Sequence, residues 1–213
     1  PFSEFHHPHR HHQSPLLIVT IMDRILLLGE GNFSFTKSLC VALRTGTNSS
    51  HQFKVTTSSY DSQADIIEKY PEAKNLFSFL TSKANGVSVD VKHGIDALEN
   101  LTTQLETTYL QDYIIFNFPH IGKEDCQLHM CFLGHLFQRV KEALAPNGLF
   151  YLTLAEGQAA NWCLPDMITR QDLRLVKTFS FVPSDFPLYQ MKRHQVGKSF
   201  KQRISSHETY ILT

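Results

Sequence analysis

The sequence lacks the features of a secreted, disulfide-bonded or membrane-spanning protein. Its 213 residues include only four cysteines, and no two of them form a C-x-x-C pair. The longest apolar run near the N-terminus, residues 16–22, is well short of the roughly 20 residues that cross a bilayer, and no clear small-residue cleavage site follows it. We therefore expect a soluble intracellular protein whose thiols are reduced.

Histidines cluster in two places, and neither cluster has the spacing of a common metal site. Five of them lie between residues 6 and 12. We interpret residues 1–21 as a disordered leader, with metal binding as the alternative, and place the folded domain at residues 22–213. Farther along, Cys126 and Cys131 alternate with two histidines, but the spacing matches no zinc finger, and we expect no structural metal.

An excess of charge of either sign is also missing. Lys and Arg together number 20, as do Asp and Glu, so the net charge argues neither for nor against a nucleic-acid partner. Internal repeats are absent as well. With 42% hydrophobic residues, the chain is long enough for one α/β domain with a full core and too short for two large ones.

What the chain does contain is an alternation of strand-like and helix-like segments. Because the strand-like runs show little polar alternation, they are typical of strands buried on both faces. The pattern predicts a seven-stranded, mostly parallel sheet with helices on both faces, in the Rossmann-like α/β class. The predicted strands are 24–28, 53–59, 87–91, 112–118, 148–154, 175–181 and 208–213, and the predicted helices are 33–44, 62–82, 96–108, 124–145 and 164–171.

A glycine-rich turn follows the first predicted strand. Gly29, Glu30, Gly31 and Asn32 join this strand to a helix, which lets backbone N–H groups approach a nucleotide-type cofactor without a Cβ in the way. A nicotinamide-dependent oxidoreductase is one candidate on this topology. Ser34 stands where the third glycine of G-x-G-x-x-G would fall, which argues against that candidate.

Two carboxylates follow the next two strands. Asp61 ends the second strand, where it can accept hydrogen bonds from ribose hydroxyls or cap the following helix. Asp96 follows the third strand and can bind the amino group of an adenine or cap the next helix. The sequence leaves both pairs of alternatives open.

The fourth strand runs directly into Asn117-Phe118-Pro119-His120. An Asn at a strand end, followed by an aromatic residue and a proline, gives a rigid turn with polar groups and ring faces in the cleft. Methyltransferases that act on planar nitrogens hold the base with similar Asn/Asp-Pro-Pro-aromatic turns. Phe116 and Phe118 are alternatively plain core residues, which is the usual fate of Phe in a strand.

Two later features are candidates for contacting RNA. Trp162, the only tryptophan, is either a further wall of the cleft or a packed aromatic in a surface loop. Residues 191–203 carry five Lys or Arg residues, and no acid occurs between Asp185 and Glu208. Such a stretch suits phosphate contacts and base stacking, or else is a solvated loop. Its candidate contacts are Lys192, Arg193, Lys198 and Lys201.

Several motifs together resemble one family, the eukaryotic large-subunit rRNA (uridine-N3) methyltransferase-like proteins. The same domain begins the ferredoxin-fold anticodon-binding-domain proteins. The resemblance is ordered and covers residues 24–213. Its motifs are Gly-Glu-Gly-Asn-Phe-Ser-Phe (29–35), Tyr-Asp-Ser (60–62), Gly-Ile-Asp-Ala (94–97), Phe-Asn-Phe-Pro-His-Ile-Gly (116–122), Leu-Ala-Glu-Gly-Gln (154–158), Pro-Ser-Asp-Phe-Pro-Leu-Tyr (183–189) and Lys-Arg (192–193).

The resemblance implies a class I methyltransferase that uses S-adenosylmethionine to modify N3 of a uridine in large-subunit rRNA. We expect an intracellular monomer, in the nucleolus, the nucleus or the cytoplasm. A non-catalytic RNA-binding or ribosome-assembly protein on the same fold is the alternative. By position, Gly29, Glu30, Gly31 and Asn32 would contact the methionine and ribose, Asp61 the ribose hydroxyls and Asp96 the adenine, while Asn117, Pro119 and His120 would face the methyl group and the base.

Removal of the proton on uridine N3 needs an acceptor in such an enzyme. The nitrogen is a poor nucleophile until that proton leaves, and it lies on the Watson–Crick edge, so the base has to be unpaired. We therefore hypothesise that His120 or a nearby carboxylate accepts the proton, and that Asn117 hydrogen-bonds to the edge of the base.

Overall fold

A seven-stranded sheet forms the centre of the protein, as predicted. The structure, a computed structural model, describes residues 21–46, 51–81, 87–123, 125–192 and 206–213. The strands run in the order β3-β2-β1-β4-β5-β7-β6, and β7 is antiparallel to both of its neighbours. Their bounds are β1 Ile21–Leu28, β2 His51–Ser59, β3 Val87–His93, β4 Gln111–Asn117, β5 Leu144–Leu154, β6 Leu175–Ser180 and β7 Glu208–Leu212.

Buried apolar side chains cover both faces of this sheet. Strand β1 contributes to both layers, since Leu26 and Leu28 point to one face and Ile25 and Leu27 to the other. This explains why β1 is apolar at successive positions instead of alternating with polar residues. The first layer includes Leu133, Phe137 and Val140 of helix α5 (Cys126–Ala143), and the second includes Phe35 and Cys40 of α1 (Ser34–Gly46) and Leu80 of α3 (Ala73–Leu80).

The helix predicted over 62–82 is divided into two. Helix α2 (Gln63–Lys69) ends before Pro71, and α3 begins at Ala73. Proline has no N–H to continue the ladder and disfavours helical angles in the preceding residue, and Tyr70 indeed has φ −139° and ψ 77°. The turn at Pro71 therefore bends the chain where the sequence pattern predicted one continuous helix.

The helix predicted over 96–108 is mostly absent from the structure. Only α4 (Leu101–Gln104) is helical in this segment, with Asn100 as its cap. Four threonines at 102, 103, 107 and 108 are poor helix formers, and Glu106 has a left-handed φ of 50°. The remaining helices are α6 (Gln158–Asn161) and α7 (Leu164–Arg170), and a 3₁₀ turn lies at Pro183–Asp185.

The strand order places a ligand cleft at the carboxyl ends of the central strands. Strands β2 and β3 lie to one side of β1, and β4 and β5 lie to the other, so the chain reverses its direction of winding between β1 and β4. Open α/β sheets bind ligands beyond the carboxyl ends of the strands at such a point. Among the described helices, none is long and apolar enough to cross a membrane.

Gly29 lies at this reversal point, and its backbone approaches the neighbouring strand closely. It has a left-handed φ of 66°, and a Cβ at this position would lie 2.3 Å from the Phe116 ring of β4. Gly94 has a similar φ of 69°, but a Cβ there would meet nothing within 4 Å. Both glycines therefore need a left-handed backbone, and only Gly29 also lacks room for a Cβ.

Alanine at these two positions should separate conformational strain from steric overlap. Gly29→Ala should lower the free energy of unfolding by about 1–3 kcal/mol more than Gly94→Ala, because only the former also overpacks the core. Urea unfolding of both variants measures the difference. Equal losses would mean that the Phe116 ring moves aside without cost.

Candidate functional site

A cleft of about 860 Å³ opens at the carboxyl ends of β1, β2 and β4. Its size is that of a cofactor pocket. The residues that line it include every cofactor-binding and catalytic residue predicted from the sequence and one of the predicted RNA contacts. These are Gly29, Glu30, Gly31, Asn32, Asp61, Asp96, Asn117, Pro119, His120 and Lys192.

The side chain of Asn32 builds the glycine-rich loop. Its Oδ1 accepts hydrogen bonds from the backbone N–H of Ser34 at 3.2 Å and from the Ser34 hydroxyl at 2.7 Å. Ser34 is the first residue of α1, so Asn32 satisfies a donor at the start of this helix. The Asn32 side chain, which is buried, therefore holds the loop in shape.

Glu30 is directed beneath the same loop. Its Oε2 accepts from the Thr36 N–H at 3.2 Å and the Thr36 hydroxyl at 3.0 Å, and that hydroxyl also lies 2.7 Å from the hydroxyl of Thr57 in β2. Burial raises the pKa of Glu30 to about 7 against the opposing effect of these hydrogen bonds. The Glu30 carboxyl thus ties α1 to the end of β1.

Asp61 lies at the cleft without capping the next helix. Ser62 is the cap of α2, in a capping box with Asp65. The Asp61 Oδ2 instead accepts from Lys69 Nζ at 2.8 Å, and this hydrogen bond is the main reason why the pKa of Lys69 is raised. The structure therefore decides against the capping alternative and keeps the Asp61 carboxylate in the cleft wall.

Asp96 does stabilise a local turn, while it also lines the cleft. Its Oδ1 accepts from the Leu98 N–H at 2.9 Å. The side chain of Gln104 bridges the backbone of Asp96, accepting from its N–H and donating to its carbonyl, both at 2.8 Å. The capping alternative is wrong for Asp96, because Asn100 caps α4 and the Asp96 carboxylate stabilises only the turn before that helix.

Asn117 is held at the end of β4 by the next strand. Its Oδ1 accepts from the hydroxyl of Thr153 in β5 at 2.7 Å. Phe118 follows with a left-handed φ of 52°, and its N–H donates to the Thr153 carbonyl at 2.8 Å. Its ring packs edge-on against Phe181 and His207, in agreement with the core alternative. A strained backbone at a cleft is typical of functional sites.

His120 accepts a hydrogen bond at the ring nitrogen that a base would need free. The backbone N–H of Gly122 donates to Nδ1 at 2.8 Å, so the proton of the neutral ring lies on Nε2. The ring also lies 5.0 Å from that of His129, which stacks on Trp162 at 4.1 Å. In this tautomer the acceptor nitrogen of the His120 ring is already engaged by the Gly122 N–H.

Trp162 corrects one sequence prediction. It is only 4% exposed and packs in the core layer with Leu164 and Met167, so it has no face for an RNA base. Its neighbour in the stack, His129, is 1% exposed. The packed-aromatic alternative therefore describes this residue.

Lys192 lies in the cleft as part of an ion pair. Its Nζ is 3.1 Å from Glu72 Oε1, with the Lys192 side chain 15% exposed. This pairing leaves less of its charge for a phosphate than the sequence suggested. The other predicted basic contacts, Arg193, Lys198 and Lys201, lie outside the described residues.

The segment before Lys192 also forms part of the site, although no site role was assigned to it from the sequence. Gln190 donates its N–H to the Ser34 hydroxyl at 2.9 Å, and the Tyr189 ring packs on Phe35 of α1. The segment therefore closes over the glycine-rich loop. Its signal in the sequence was the Pro-Ser-Asp-Phe-Pro-Leu-Tyr motif (183–189), which precedes it directly.

His207 is a second cleft residue that the sequence did not reveal. It is 6% exposed, its ring lies 5.0 Å from that of Phe118, and its carbonyl accepts from the Phe181 N–H at 2.8 Å. Burial lowers its pKa despite the opposing effect of Glu156, so the imidazole is neutral at neutral pH. Within the described part of the chain, its buried Nδ1 has no hydrogen-bond partner.

The fold and the cleft together are those of a Rossmann-like class I methyltransferase. A solved structure of an antibiotic-related methyltransferase matches 92% of this chain and 90% of its own, with a TM-score of 0.53 and 14% identity. A family model described as rRNA (uridine-N3-)-methyltransferase BTM5-like matches residues 26–193. The chain therefore belongs to the BMT5-like family, and the family resemblance of the motifs is confirmed.

Relatives of very different length share this domain. An uncharacterized protein of Arabidopsis thaliana is 29% identical over 185 residues, which are 82% of this chain and 84% of the relative. The ferredoxin-fold anticodon-binding domain-containing protein 1 homolog of Mus musculus is 32% identical over 63% of this chain, but the match spans only 20% of the mouse protein. The domain is thus found both nearly alone and within a much longer chain.

The buried Glu30 should make stability depend on pH. Its folded pKa of about 7 lies above the ordinary 4.5, so the stability it contributes is fully present below pH 4.5 and is lost as pH rises through 7, by on the order of 3 kcal/mol. Glu30→Gln should therefore flatten the fall of the unfolding midpoint between pH 5 and 8. Thermal unfolding across this range measures the effect.

Glu68→Gln is the matched control, because Glu68 is exposed on α2. It should keep the pH dependence of the unmodified protein. A Glu30→Gln profile that coincides with the control would show that the Glu30 carboxyl is not the titrating group.

Proposed function

We propose that this protein transfers a methyl group from S-adenosylmethionine to N3 of a uridine in large-subunit rRNA. One observation carries the proposal: a glycine-rich loop with Asp61 and an Asn117-Phe-Pro-His120 turn face the same cleft. The glycine-rich loop and Asp61 suit an adenosine-type cofactor, and the Asn117–His120 turn suits a planar base. Membership of the BMT5-like family supports both the reaction and the substrate class.

The residues of the cleft fit the cofactor. Gly29 and Gly31 carry no side chain into the cleft, and only at Gly29 would a Cβ overlap a neighbour, since a Cβ at Gly31 would make ordinary contact at 3.7 Å from the Tyr70 hydroxyl. Asp61 would bind the ribose hydroxyls, and Asp96 would lie at the adenine. Glu30 and Asn32 would shape the loop through their own hydrogen bonds rather than contact the ligand directly. When bound, the cofactor supplies an electrophilic methyl group on a sulfonium that leaves as a neutral thioether.

The proton on uridine N3 has to leave before the nitrogen can attack. The hydrogen bond from Gly122 to Nδ1 places the proton of His120 on Nε2, which argues against the hypothesis that His120 is the acceptor. His207 lines the same cleft with a neutral imidazole. We therefore assign proton acceptance to His207, and the N3 electron pair then forms the bond to the methyl carbon.

The RNA partner would approach over the basic stretch 191–203. Phosphate contacts by Arg193, Lys198 and Lys201 belong to this proposal, together with a nucleolar location for an enzyme of rRNA. The second candidate, a non-catalytic RNA-binding protein on the same fold, would use the same basic stretch. Cofactor binding distinguishes the two functions.

Calorimetric titration with S-adenosylmethionine should show saturable binding that Asp61→Asn weakens by about 10- to 100-fold, since a charged hydrogen-bond acceptor is lost. Asp90→Asn is the matched control, because Asp90 lies away from the cleft in an exposed pair with Lys92. Folded protein that binds no cofactor would favour the non-catalytic alternative. Binding would justify a search for 3-methyluridine in rRNA by nucleoside mass spectrometry.

Methyl transfer should depend on His207 more than on His120 as a base. His207→Gln should slow single-turnover transfer to unmodified rRNA by about 100-fold or more at pH 7, with partial recovery at alkaline pH as N3 ionises unaided. Because the pKa of His207 is lowered, the unmodified protein should stay active below pH 6.5. His135→Gln, at an exposed position of α5, is the control. A His207→Gln rate close to that of the control would disprove the assignment.

A further inference from the structure

The cleft contains three acidic side chains and one strongly basic side chain. Glu30, Asp61 and Asp96 line it, whereas Lys192 is the only lysine or arginine among the described residues that line it. The charges of S-adenosylmethionine are unevenly placed, because its adenosine part is uncharged and its methionine part ends in an α-amino group and an α-carboxylate. A carboxylate that enters a cleft with three acidic side chains needs a cation nearby.

Polar contacts tie Lys192 to the glycine-rich loop. Its Nζ lies 3.1 Å from Glu72 Oε1, and the same oxygen accepts from Asn32 Nδ2 at 3.5 Å. The backbone just before Lys192 is held at the start of α1, where the Gln190 N–H donates to the Ser34 hydroxyl at 2.9 Å. The ammonium group is therefore positioned beside the loop rather than on an open surface.

The ion pair with Glu72 does not exhaust the hydrogen-bonding capacity of Lys192. An ammonium group has three donors, and the contact with Glu72 Oε1 uses one of them. The Lys192 side chain is 15% exposed and that of Glu72 is 44% exposed, so the lysine is the more withdrawn from water. A second carboxylate on the cleft side would therefore gain a charge-assisted hydrogen bond that solvent screens only in part.

We infer that Lys192 belongs to the cofactor site, where its ammonium group binds the α-carboxylate of S-adenosylmethionine, rather than to the RNA contacts predicted from the sequence. This inference rests on the proposed function and deepens it, since it assigns a residue to the amino-acid end of the cofactor. The start of α1 lies at the same loop, and its helix dipole adds to the attraction of a negative group. Glu72 holds the ammonium group beside the loop and is a positioning residue.

Two separate contacts would then recognise the two ends of the cofactor. Asp61 would bind ribose hydroxyls, which every adenosine nucleoside carries, whereas Lys192 would bind a group found only on those that carry an amino acid. 5′-Methylthioadenosine retains the adenosine, the sulfur and a methyl group but lacks the amino-acid end. The difference in affinity between S-adenosylhomocysteine and 5′-methylthioadenosine therefore isolates the contact assigned to Lys192.

Calorimetric titration of the full chain with these two nucleosides tests the inference independently of turnover. We expect S-adenosylhomocysteine to bind at least about tenfold more tightly than 5′-methylthioadenosine, since a charge-assisted hydrogen bond is gained. Lys192→Met should remove most of this preference by weakening S-adenosylhomocysteine alone, and Lys192→Arg should retain part of it. Lys92→Met is the matched control, because the ion pair of Lys92 with Asp90 lies outside the cleft lining, and it should leave both affinities unchanged.

Two substitutions at Glu72 test its positioning role through the same ratio of affinities. Both Glu72→Gln and Glu72→Ala remove the charge that competes for the ammonium group, but only Gln keeps an acceptor oxygen for it. The preference for S-adenosylhomocysteine should therefore be larger in Glu72→Gln than in Glu72→Ala. A preference that is lost in Glu72→Gln and intact in Lys192→Met would place the contact on the α-amino group and overturn the inference.

RNA binding separates the inference from the role that the sequence suggested for Lys192. Fluorescence anisotropy with a labelled oligouridylate should give Lys192→Met and the unmodified protein the same affinity for RNA. A weaker affinity for RNA in Lys192→Met, together with unchanged binding of S-adenosylhomocysteine, would make Lys192 an RNA contact and overturn the inference.

The inference and the proposed function can fail separately. A preference for S-adenosylhomocysteine that depends on Lys192, together with no 3-methyluridine in treated rRNA, would disprove the function and keep the cofactor contact. Production of 3-methyluridine by a protein whose preference does not depend on Lys192 would disprove the contact and keep the function. Equal binding of the two nucleosides by the unmodified protein, or binding of neither, would also overturn the inference.

Discussion

The Phe116 ring of β4 packs directly on the backbone of Gly29, which follows β1, at the point where the cleft opens. A Cβ at Gly29 would lie 2.3 Å from that ring, so no other residue allows this approach without a shift. On one side of the contact lies the glycine-rich loop, and on the other lies the turn after Asn117. The relative position of the two halves of the cleft depends on this packing.

Buried polar groups on either side of that contact satisfy one another. Under the loop, Glu30 accepts from Thr36, whose hydroxyl meets that of Thr57. Across the other strands, Thr209, Thr153 and Asn117 form a similar row. Such groups are costly to bury unless every partner is in place, so each row fixes the orientation of its members. The neighbouring strands thus orient Glu30 and Asn117 at the cleft.

Several parts of the site could be predicted from local sequence. Gly29, Asp61 and Asn117 each follow an apolar strand, and the carboxyl ends of parallel strands meet at one edge, so a shared cleft follows from the strand assignment alone. Each of the seven predicted strands also occurs in the structure. The breaks in the helices were less visible: Pro71 divides one predicted helix, and the threonine-rich segment after Asp96 forms only α4.

The sequence by itself determined the fold class, the location of the cleft and the family, because these depend on apolar runs and short motifs that are contiguous in the chain. Only the tertiary structure decided what each polar atom does. Trp162 is buried because a core layer surrounds it, and His207 reaches the cleft because β7 inserts between β5 and β6. The tautomer of His120 likewise depends on a hydrogen bond whose direction no sequence pattern records. Orientation and burial arise from contacts between distant segments, and those exist only once the chain has folded.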